Sequence, residues 1–448
     1  MKGGEKMKEE ITFSRNILSN DFLKKLFTKY DFILYLVLFC FSFLNQYTLL
    51  IFLCSLFFLL LTQNTLGAIK SLILITLRGL INTGIAVSFT GYLSLIKWAL
   101  LFGNSAYILF CSNMKVFKDK KIVKLFSLFL IITTYIIIQS MFCSTYPIVS
   151  IAKYISYSFV FFSLIIGCYD GNAQNVFSYL EKCMVAILII SIPLLFSSLG
   201  YFVNGRSFQG ILNQPNMLGI FCALTLAVVY ADNKNIVYKL FMLFLILFEI
   251  IKTQSRTSLF SAIVIIIMFF FTSNKILAKY KVYFPIFALT LSIGIIIVYP
   301  SIYNKIYDYV FKGYEGNLFF SRRAQIELFL NRMNYNMWFG TGFSTPFIAD
   351  KQYFTFSFNY IVEDGNLILA TLGYVGIIGF ILFFALYFYI FKSNRRRNNN
   401  TLLFFAPMLI SLGEMTFFST NNLGVILYIF YAVYFSQSLI EEKEETNQ

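Results

Sequence analysis

Apolar segments of about twenty residues recur along almost the whole chain, and they constrain the fold more than any other feature. A segment of that length crosses the hydrocarbon core of a bilayer as an α-helix. The sequence predicts about 14 (12–14) such helices, and hence an all-α polytopic integral membrane protein. The predicted spans are 31–46, 48–62, 68–90, 92–112, 124–142, 148–168, 177–199, 213–231, 236–252, 257–273, 282–300, 361–391, 402–418 and 421–438.

The composition excludes the soluble classes. Hydrophobic residues make up 58% of the 448 residues and charged residues only 13%. A soluble domain of this size needs more charge to cover its surface. A transmembrane β-barrel is also excluded, because its strands alternate in polarity and run for only about ten residues.

The net charge of +15 follows the predicted topology. Fourteen crossings place three basic loops, at 115–124, 274–281 and 391–400, on the same side as the lysine-rich N-terminus. Basic residues accumulate in the cytoplasmic loops of membrane proteins, so we expect this side to be cytoplasmic and expect no nucleic-acid partner. The predicted segments are a cytoplasmic tail (1–30), helices 1–11 (31–300), a large outer loop with short amphipathic helices (301–360), helices 12–14 (361–438) and a cytoplasmic tail (439–448).

The inventory of ligating residues argues against a bound cofactor. The chain has no histidine, which removes the commonest metal ligand and the usual general base at neutral pH. Its seven cysteines lie in or beside apolar runs without a CxxC pair, so we interpret them as small hydrophobic residues. No metal ion or other cofactor is predicted.

The two basic residue types are distributed differently. The chain has 26 lysines and 10 arginines, yet the predicted topology places four lysines and five arginines on the outer side. The positive-inside rule treats lysine and arginine alike, so it does not explain this split. A guanidinium group binds phosphate through two parallel hydrogen bonds, which favours an outer site for a phosphorylated lipid. The arginines predicted to serve it are Arg206, Arg256, Arg322 and Arg323.

Not every outer arginine is expected to take part. Arg322 and Arg323 are adjacent, so we expect one of them to face away from the site. Arg332 is expected on the solvated face of an amphipathic helix predicted near residues 322–333. Glu249 and Glu414 fall in or near predicted spans, and Glu249 lies one turn before Lys252, with which it could pair.

Four segments in the second half resemble the O-antigen polymerase and O-antigen ligase superfamily. The first segment has an arginine, a glycine and an Asn-Pro-Asn motif interrupted by one residue. The second has a Ser-Arg pair, the third has an arginine before a predicted helix and a Gly-x-Gly motif, and the fourth has an asparagine at the start of a predicted span. These segments are GRSFQGILNQPNMLG (205–219), TQSRTSLFSAIVIII (253–267), SRRAQIELFLNRMNYNMWFGTGF (321–343) and VEDGNLILATLGYVGIIGF (362–380).

The resemblance implies glycosyl transfer between lipid-linked sugars at the outer face of the bacterial cytoplasmic membrane, without metal or nucleotide. Ligases of the superfamily carry a histidine just before the matched Asn366, whereas this chain has Glu363-Asp364-Gly365 there. This departure favours a polymerase of repeat units linked to undecaprenyl pyrophosphate. A ligase, a lipid-linked oligosaccharide flippase and a non-catalytic scaffold remain alternatives. A chain-length regulator and a flippase are the protein partners expected beside the lipid bilayer.

Roles for the outer residues follow from the resemblance and from the charge of the leaving pyrophosphate. The arginines are expected to neutralise that charge at a low-dielectric membrane edge, where its stabilisation is largest. Either Asp364 or Glu363 is expected to accept the proton of the acceptor hydroxyl, or else to pair with loop arginines. The amides predicted to hold sugars are Gln209, Asn213, Asn216 and Asn366.

Overall fold

The protein is described by a computed structural model over residues 30–113, 116–232, 234–272, 322–347, 362, 365–394 and 400–446, with side chains up to residue 437. Within these ranges it has thirteen α-helices and no β-strand beyond an isolated bridge between Ile81 and Leu212. The helices are α1 Asp31–Phe41, α2 Gln46–Gly79, α3 Gly91–Cys111, α4 Lys120–Cys143, α5 Pro147–Gly167, α6 Ala173–Ser191, α7 Pro215–Ala231, α8 Ile236–Thr253, α9 Arg256–Thr272, α10 Arg323–Asn336, α11 Leu367–Ser393, α12 Thr401–Ser411 and α13 Gly424–Thr446.

Several helices begin where the local sequence supplies a start signal. Asn45 and Thr48 form a reciprocal capping box at the start of α2. The side chain of Asn366 accepts the first backbone N–H groups of α11. Pro147 and Pro215 each occupy the first turn of a helix, where the missing N–H leaves no hydrogen bond unmade.

The helix α2 doubles back on itself at Asn64, whose φ of 53° lies in the left-handed region. Gly67 lies against the carbonyl group of Leu59, which a straight helix would hold far away. The arm before Asn64 runs antiparallel to α1, and Tyr35 of α1 donates to the carbonyl of Ser55 in it. In the arm after Asn64, Lys70 donates a hydrogen bond to the carboxylate of Asp31 at the start of α1. The predicted spans 48–62 and 68–90 are therefore two arms of one helical hairpin, and the second arm ends at Gly79.

Most of the predicted spans coincide with helices, although some ends differ. Among the described residues, five stretches are long and apolar enough to cross a membrane, and the shorter apolar helices are α1, α7, α9, α12 and the start of α13. The predicted span 402–418 is too long, because α12 ends at Ser411. The number of crossings and the side that each loop faces remain predictions. The five long stretches are Gln46–Gly79, Gly91–Cys111, Lys120–Cys143, Pro147–Phe196 and Leu367–Ser393.

Two helices form the centre of the bundle. In α7 nearly every residue is buried, and this helix packs against α6, α8, α9 and α12. In α13 the residues from 425 to 435 are all buried, and this helix packs against α2, α5, α6, α11 and α12. A helix that is apolar on all sides belongs inside a bundle, whereas the outer helices bury only one face and leave apolar side chains for lipid.

The connections alternate between the two ends of the bundle. At one end, called the site end, hydrogen bonds join the segment 80–87 to residues 43 and 211–213, and residues 207–208 to residues 252–254. At the opposite end, Asp170 accepts from the N–H of Asn113, and Glu181 pairs with Lys234. Several predicted features lie outside the described residues: the tail 1–29, the loop 274–281, the span 282–300, the parts 301–321 and 348–361 of the outer loop, and residues 395–399.

The described end of the predicted outer loop enters the bundle. After α10, the N–H groups of Thr341 and Gly342 donate to the carbonyls of Gly373 and Tyr374, at 3.1 and 3.0 Å. The next residue, Phe343, is fully buried in a cluster of aromatic rings contributed by α5, α11 and the segment after α12. The Gly-x-Gly motif thus anchors the loop to a break in α11, where the sequence predicted only surface helices.

Candidate functional site

Five segments of the chain meet at the site end around Leu412, Gly413 and Glu414, called here the 412–414 turn. The turn follows α12 directly, since the backbone N–H groups of Gly413 and Glu414 still bond to Ile410. The carbonyls of Leu412 and Gly413, the Gly413 backbone and the Glu414 carboxylate are contacted by side chains at the starts of α7, α9, α10 and α11. This convergence makes the turn the candidate site.

Arg322 links the turn to two other segments. It is the N-cap residue of α10, and its guanidinium donates from Nη1 to the carbonyl of Gly365 at 2.9 Å. Its Nη2 donates to the carbonyl of Gly413. A guanidinium has five N–H donors, so these two bonds leave donor capacity on a side chain that is only half-buried.

The starts of three helices surround the 412–414 turn. Asn216, the second residue of α7, donates from Nδ2 to Glu414 Oε1 at 2.9 Å. Asn366, the N-cap of α11, donates from Nδ2 to the carbonyl of Leu412 at 2.7 Å. Thr257, the second residue of α9, packs so closely on Gly413 that a larger residue there would overlap it. Because a helix N-terminus carries partial positive charge, three of them together favour an anion.

The structure places Arg256 beside this convergence and Arg206 at its edge. Arg256 is the first residue of α9 and precedes Thr257, which contacts the turn. Arg206 is exposed, and its loop is tied to the start of the same region by a bond from Ser207 to Gln254. Arg322 therefore contacts the turn, and Arg256 is adjacent in sequence to a residue that does. Among the described residues, no hydrogen bond joins the Arg206 guanidinium to the turn.

The amides predicted to bind sugars also differ in whether they reach the 412–414 turn. Gln209 is fully buried and uses both ends of its amide on its own loop, bonding the N–H of Val203 and the carbonyl of Leu212. Its contacts are those of a loop brace, which differs from the predicted sugar-binding role. Asn213 bonds Leu80 through its backbone, and its Oδ1 has no hydrogen-bond partner among the described residues. Only Asn216 and Asn366 reach the turn.

Two arginines of α10 lie away from the turn. Arg323 is largely exposed and pairs with Glu327 one turn along, at 2.8 Å, so of the two adjacent arginines it is the one that faces away. Arg332 is only 1% exposed, and its guanidinium donates to Thr341 Oγ1 at 2.6 Å and to the carbonyl of Thr345 at 2.9 Å. The expectation that Arg332 lies on a solvated face is wrong, because this arginine anchors the inserted loop.

The charged residues of the predicted spans also need correction. Glu249 is fully buried and accepts from Cys222 Sγ at 3.5 Å, whereas Lys252 lies over the ring of Phe248. The expected pairing of Glu249 with Lys252 is therefore wrong. Glu363 and Asp364, the predicted proton acceptors, lie outside the described residues.

Sequence reasoning missed three side chains at the site end. Glu414 was assigned to a span, but the early end of α12 brings its carboxylate into the turn. Lys97 donates to Asn421 in the segment after the turn, and Lys153 donates to the carbonyl of Ser344 at 3.0 Å. Two lysines assigned to spans thus reach the same end as the arginines, so the contrast between lysine and arginine is weaker than predicted.

A family model described as O-antigen ligase matches residues 241–384 of the chain. This match supports the resemblance of the second half of the chain to the O-antigen polymerase and ligase superfamily. No curated protein matches the chain. Members of the superfamily are glycosyltransferase-like enzymes, either polymerases or ligases, and they use lipid-linked polysaccharide substrates in a membrane.

The matched range begins within α8 and ends within α11. It contains three of the four segments on which the resemblance depends, those at 253–267, 321–343 and 362–380. It includes Arg256, Arg322 and Asn366, which lie at or beside the 412–414 turn. It excludes the loop of Arg206 and the turn itself. The family-matched range therefore supplies one side of the candidate site, and α7 with the turn supplies the other.

Proposed function

We propose that the protein is a glycosyltransferase that polymerises oligosaccharide repeat units linked to undecaprenyl pyrophosphate into a surface polysaccharide, such as O-antigen or capsule. The reaction takes place at the outer face of the bacterial cytoplasmic membrane, and the site end faces outward. The observation that carries the proposal is the convergence of Arg322 and three helix N-termini on the 412–414 turn, one of them the start of α9, which carries Arg256.

The leaving group explains why such a convergence is useful. The departing diphosphate carries two to three negative charges, one of which develops as the sugar–pyrophosphate bond breaks. Arg322 and Arg256 bind these charges at the positive ends of the helices, and they do so without a metal ion. Donors fixed in advance at a membrane edge stabilise developing charge more strongly than water does. Arg206, on its exposed loop, binds the diphosphate as it arrives.

The remaining polar residues of the site hold the sugars. Asn216 presents its amide beside the turn and binds hydroxyl groups of the repeat unit, and Asn213 adds a buried amide oxygen at the edge of the loop. Asn366 positions the turn for the sugars, because both ends of its amide bond α11 and the carbonyl of Leu412. Glu363 and Asp364 stay candidates for the proton acceptor. A flippase delivers the lipid-linked repeats, and a chain-length regulator acts as a second partner.

The second candidate is a ligase, which the description of the matched family model favours. The two reactions share the donor and differ in the acceptor. A polymerase transfers the glycan to another lipid-linked repeat unit, whereas a ligase transfers it to a lipid anchor of the outer membrane. The segment Glu363-Asp364-Gly365 before Asn366 supports the polymerase, because the ligases that it resembles carry a histidine there.

The deciding experiment uses the purified full-length protein in liposomes with lipid-linked repeat units, in the presence of a chelator. We expect ladders of extended chains on the carrier lipid, and no transfer to a lipid A core acceptor. Arg256→Ala and Arg206→Ala should abolish extension while the protein still inserts into the liposomes. Transfer to the core acceptor without extension would establish the ligase, and full-length chains from both variants would remove the arginines from the mechanism.

A further inference from the structure

The 412–414 turn carries a carboxylate that the proposed mechanism leaves unused. Glu414 is half-buried, and its Oε1 is held by Asn216 at the start of α7. We propose that Glu414 is the catalytic base, which accepts the proton of the acceptor hydroxyl during glycosyl transfer. This inference rests on the proposed function, and it assigns the base to a residue outside the family-matched range.

The position of Glu414 relative to Arg322 supports this role. Arg322 donates to the carbonyl of Gly413, the residue directly before Glu414. Neighbouring Cα atoms lie about 3.8 Å apart, so a cation for the leaving group and a base for the attacking group are built on one short turn. Their contacts approach the turn from different helices, since Arg322 comes from α10 and the partner of Glu414 comes from α7.

The carboxylate is also oriented and electrostatically supported. The hydrogen bond from Asn216 Nδ2 fixes one oxygen of Glu414 at 2.9 Å. The N-terminus of α7, only two residues away from the contact, favours negative charge on the side chain. A base must be held within hydrogen-bonding reach of the hydroxyl that it deprotonates, and a carboxylate fixed between two helices satisfies this requirement better than one on a long loop.

The transfer step balances without any further reactant. The acceptor oxygen forms a bond to the anomeric carbon of the donor sugar, and the bond from that carbon to the pyrophosphate oxygen breaks. The electron pair of the broken bond stays on the pyrophosphate, whose charge the arginines bind. The proton of the acceptor hydroxyl moves to the Glu414 carboxylate and passes to water when the product leaves.

The test compares Glu414→Gln with a matched exchange at Glu327, which pairs with Arg323 on the exposed face of α10. In the liposome assay, Glu414→Gln should lower the extension rate by roughly 100- to 10,000-fold, the usual contribution of a general base. Binding of the donor, measured with undecaprenyl pyrophosphate alone, should stay within about twofold because the arginines are intact. Glu327→Gln should extend chains at the wild-type rate.

The dependence on pH separates a base from a structural residue. The wild-type rate should fall at low pH as the base becomes protonated, and the residual rate of Glu414→Gln should lose this dependence. Glu414→Asp, which keeps a carboxylate with a shorter reach, should be slower than wild type and keep the fall at low pH. If the Gln variant does not fold, the Asp variant decides: a wild-type rate there overturns the assignment.

Two results would overturn the proposal while the proposed function stands. One is a wild-type rate from Glu414→Gln. The other is an unchanged fall at low pH in Glu414→Gln together with its loss in Glu363→Gln or Asp364→Asn, which would move the base to those residues. A wild-type protein that extends no chains contradicts the proposed function instead. The Glu414 variants therefore test the base, and the wild-type protein tests the polymerase function.

Discussion

Two arginines of the same helix, Arg322 and Arg332, are used in opposite ways. Arg332 is only 1% exposed and makes its contacts to one continuous segment, the inserted loop, and to the ring of Tyr374 at 5.1 Å. Arg322 is half-buried and joins two segments that are far apart in the chain, at Gly365 and Gly413. The first is an anchor of the fold, and the second joins segments of the candidate site while part of its side chain stays exposed.

The difference follows from position on α10. Ten residues of an α-helix rotate by roughly 80° less than three full turns, so Arg322 and Arg332 address different neighbours. Arg332 faces the broken helix α11, where Thr341 and the carbonyl of Thr345 meet its guanidinium. Arg322 stands at the helix start, beside the 412–414 turn. An arginine count by side of the membrane does not distinguish these uses, whereas burial and partners do.

The largest effect on stability is expected at the anchor. Arg332→Met removes the guanidinium but keeps much of the apolar stem, and it leaves Thr341 and the carbonyl of Thr345 without their donors. Leaving a buried polar group without its hydrogen-bond partner costs about 1–3 kcal/mol. Thermal unfolding of the purified protein in detergent should shift clearly downward, whereas Arg323→Met, at an exposed position of the same helix, should leave it unchanged. An unshifted transition in Arg332→Met would mean that the inserted loop is held by Phe343 and its backbone bonds alone.

The next largest effect is expected at Arg322, where a substitution should lower the rate of chain extension more than it lowers stability. Arg322→Lys keeps the charge but replaces a planar fork by a point donor, which cannot bond the carbonyls of Gly365 and Gly413 and a diphosphate together. We expect chain extension to fall about 100-fold, as when one donor to developing charge is lost. Thermal unfolding should change much less than in Arg332→Met. A variant with wild-type extension would reduce Arg322 to a brace between α10 and the turn.

Much of the fold is readable from the sequence because its signals are local. Apolar runs of helical length, the capping residues Asn45 and Asn366, and the prolines that open α5 and α7 each act within a few residues. The reversal at Asn64 and the early end of α12 at Ser411 were harder, since both depend on contacts with distant helices. The entry of Phe343 into the bundle also depends on the break in α11, which no local pattern of the outer loop indicates.

The candidate site was readable only in part, for the same reason. Helix starts and arginines are visible in the sequence, so Asn216, Asn366 and the arginine segments could be named. Which of them meet is decided by the 412–414 turn, a feature of the tertiary structure. Glu414 follows a continuous apolar run and therefore counted as part of a span, although the turn places it beside Asn216. Gln209 shows the converse, because an amide in a promising motif is used entirely within its own loop.

The smallest effect on stability and activity is expected from a substitution of Arg323. This substitution tests whether an arginine contributes to the site merely because it is adjacent to Arg322 in sequence. This side chain is 73% exposed and pairs with Glu327, 57% exposed, across one helical turn. Such exposed pairs contribute about 0.3–0.5 kcal/mol, because water screens the charges and the long side chains lose freedom. Arg323→Ala should therefore leave thermal unfolding nearly unchanged and chain extension within about twofold of wild type. A loss comparable to that of Arg322→Lys would mean that Arg323 leaves Glu327 to bind the diphosphate when substrate is present, and the contrast between the two adjacent arginines would then hold only for the free protein.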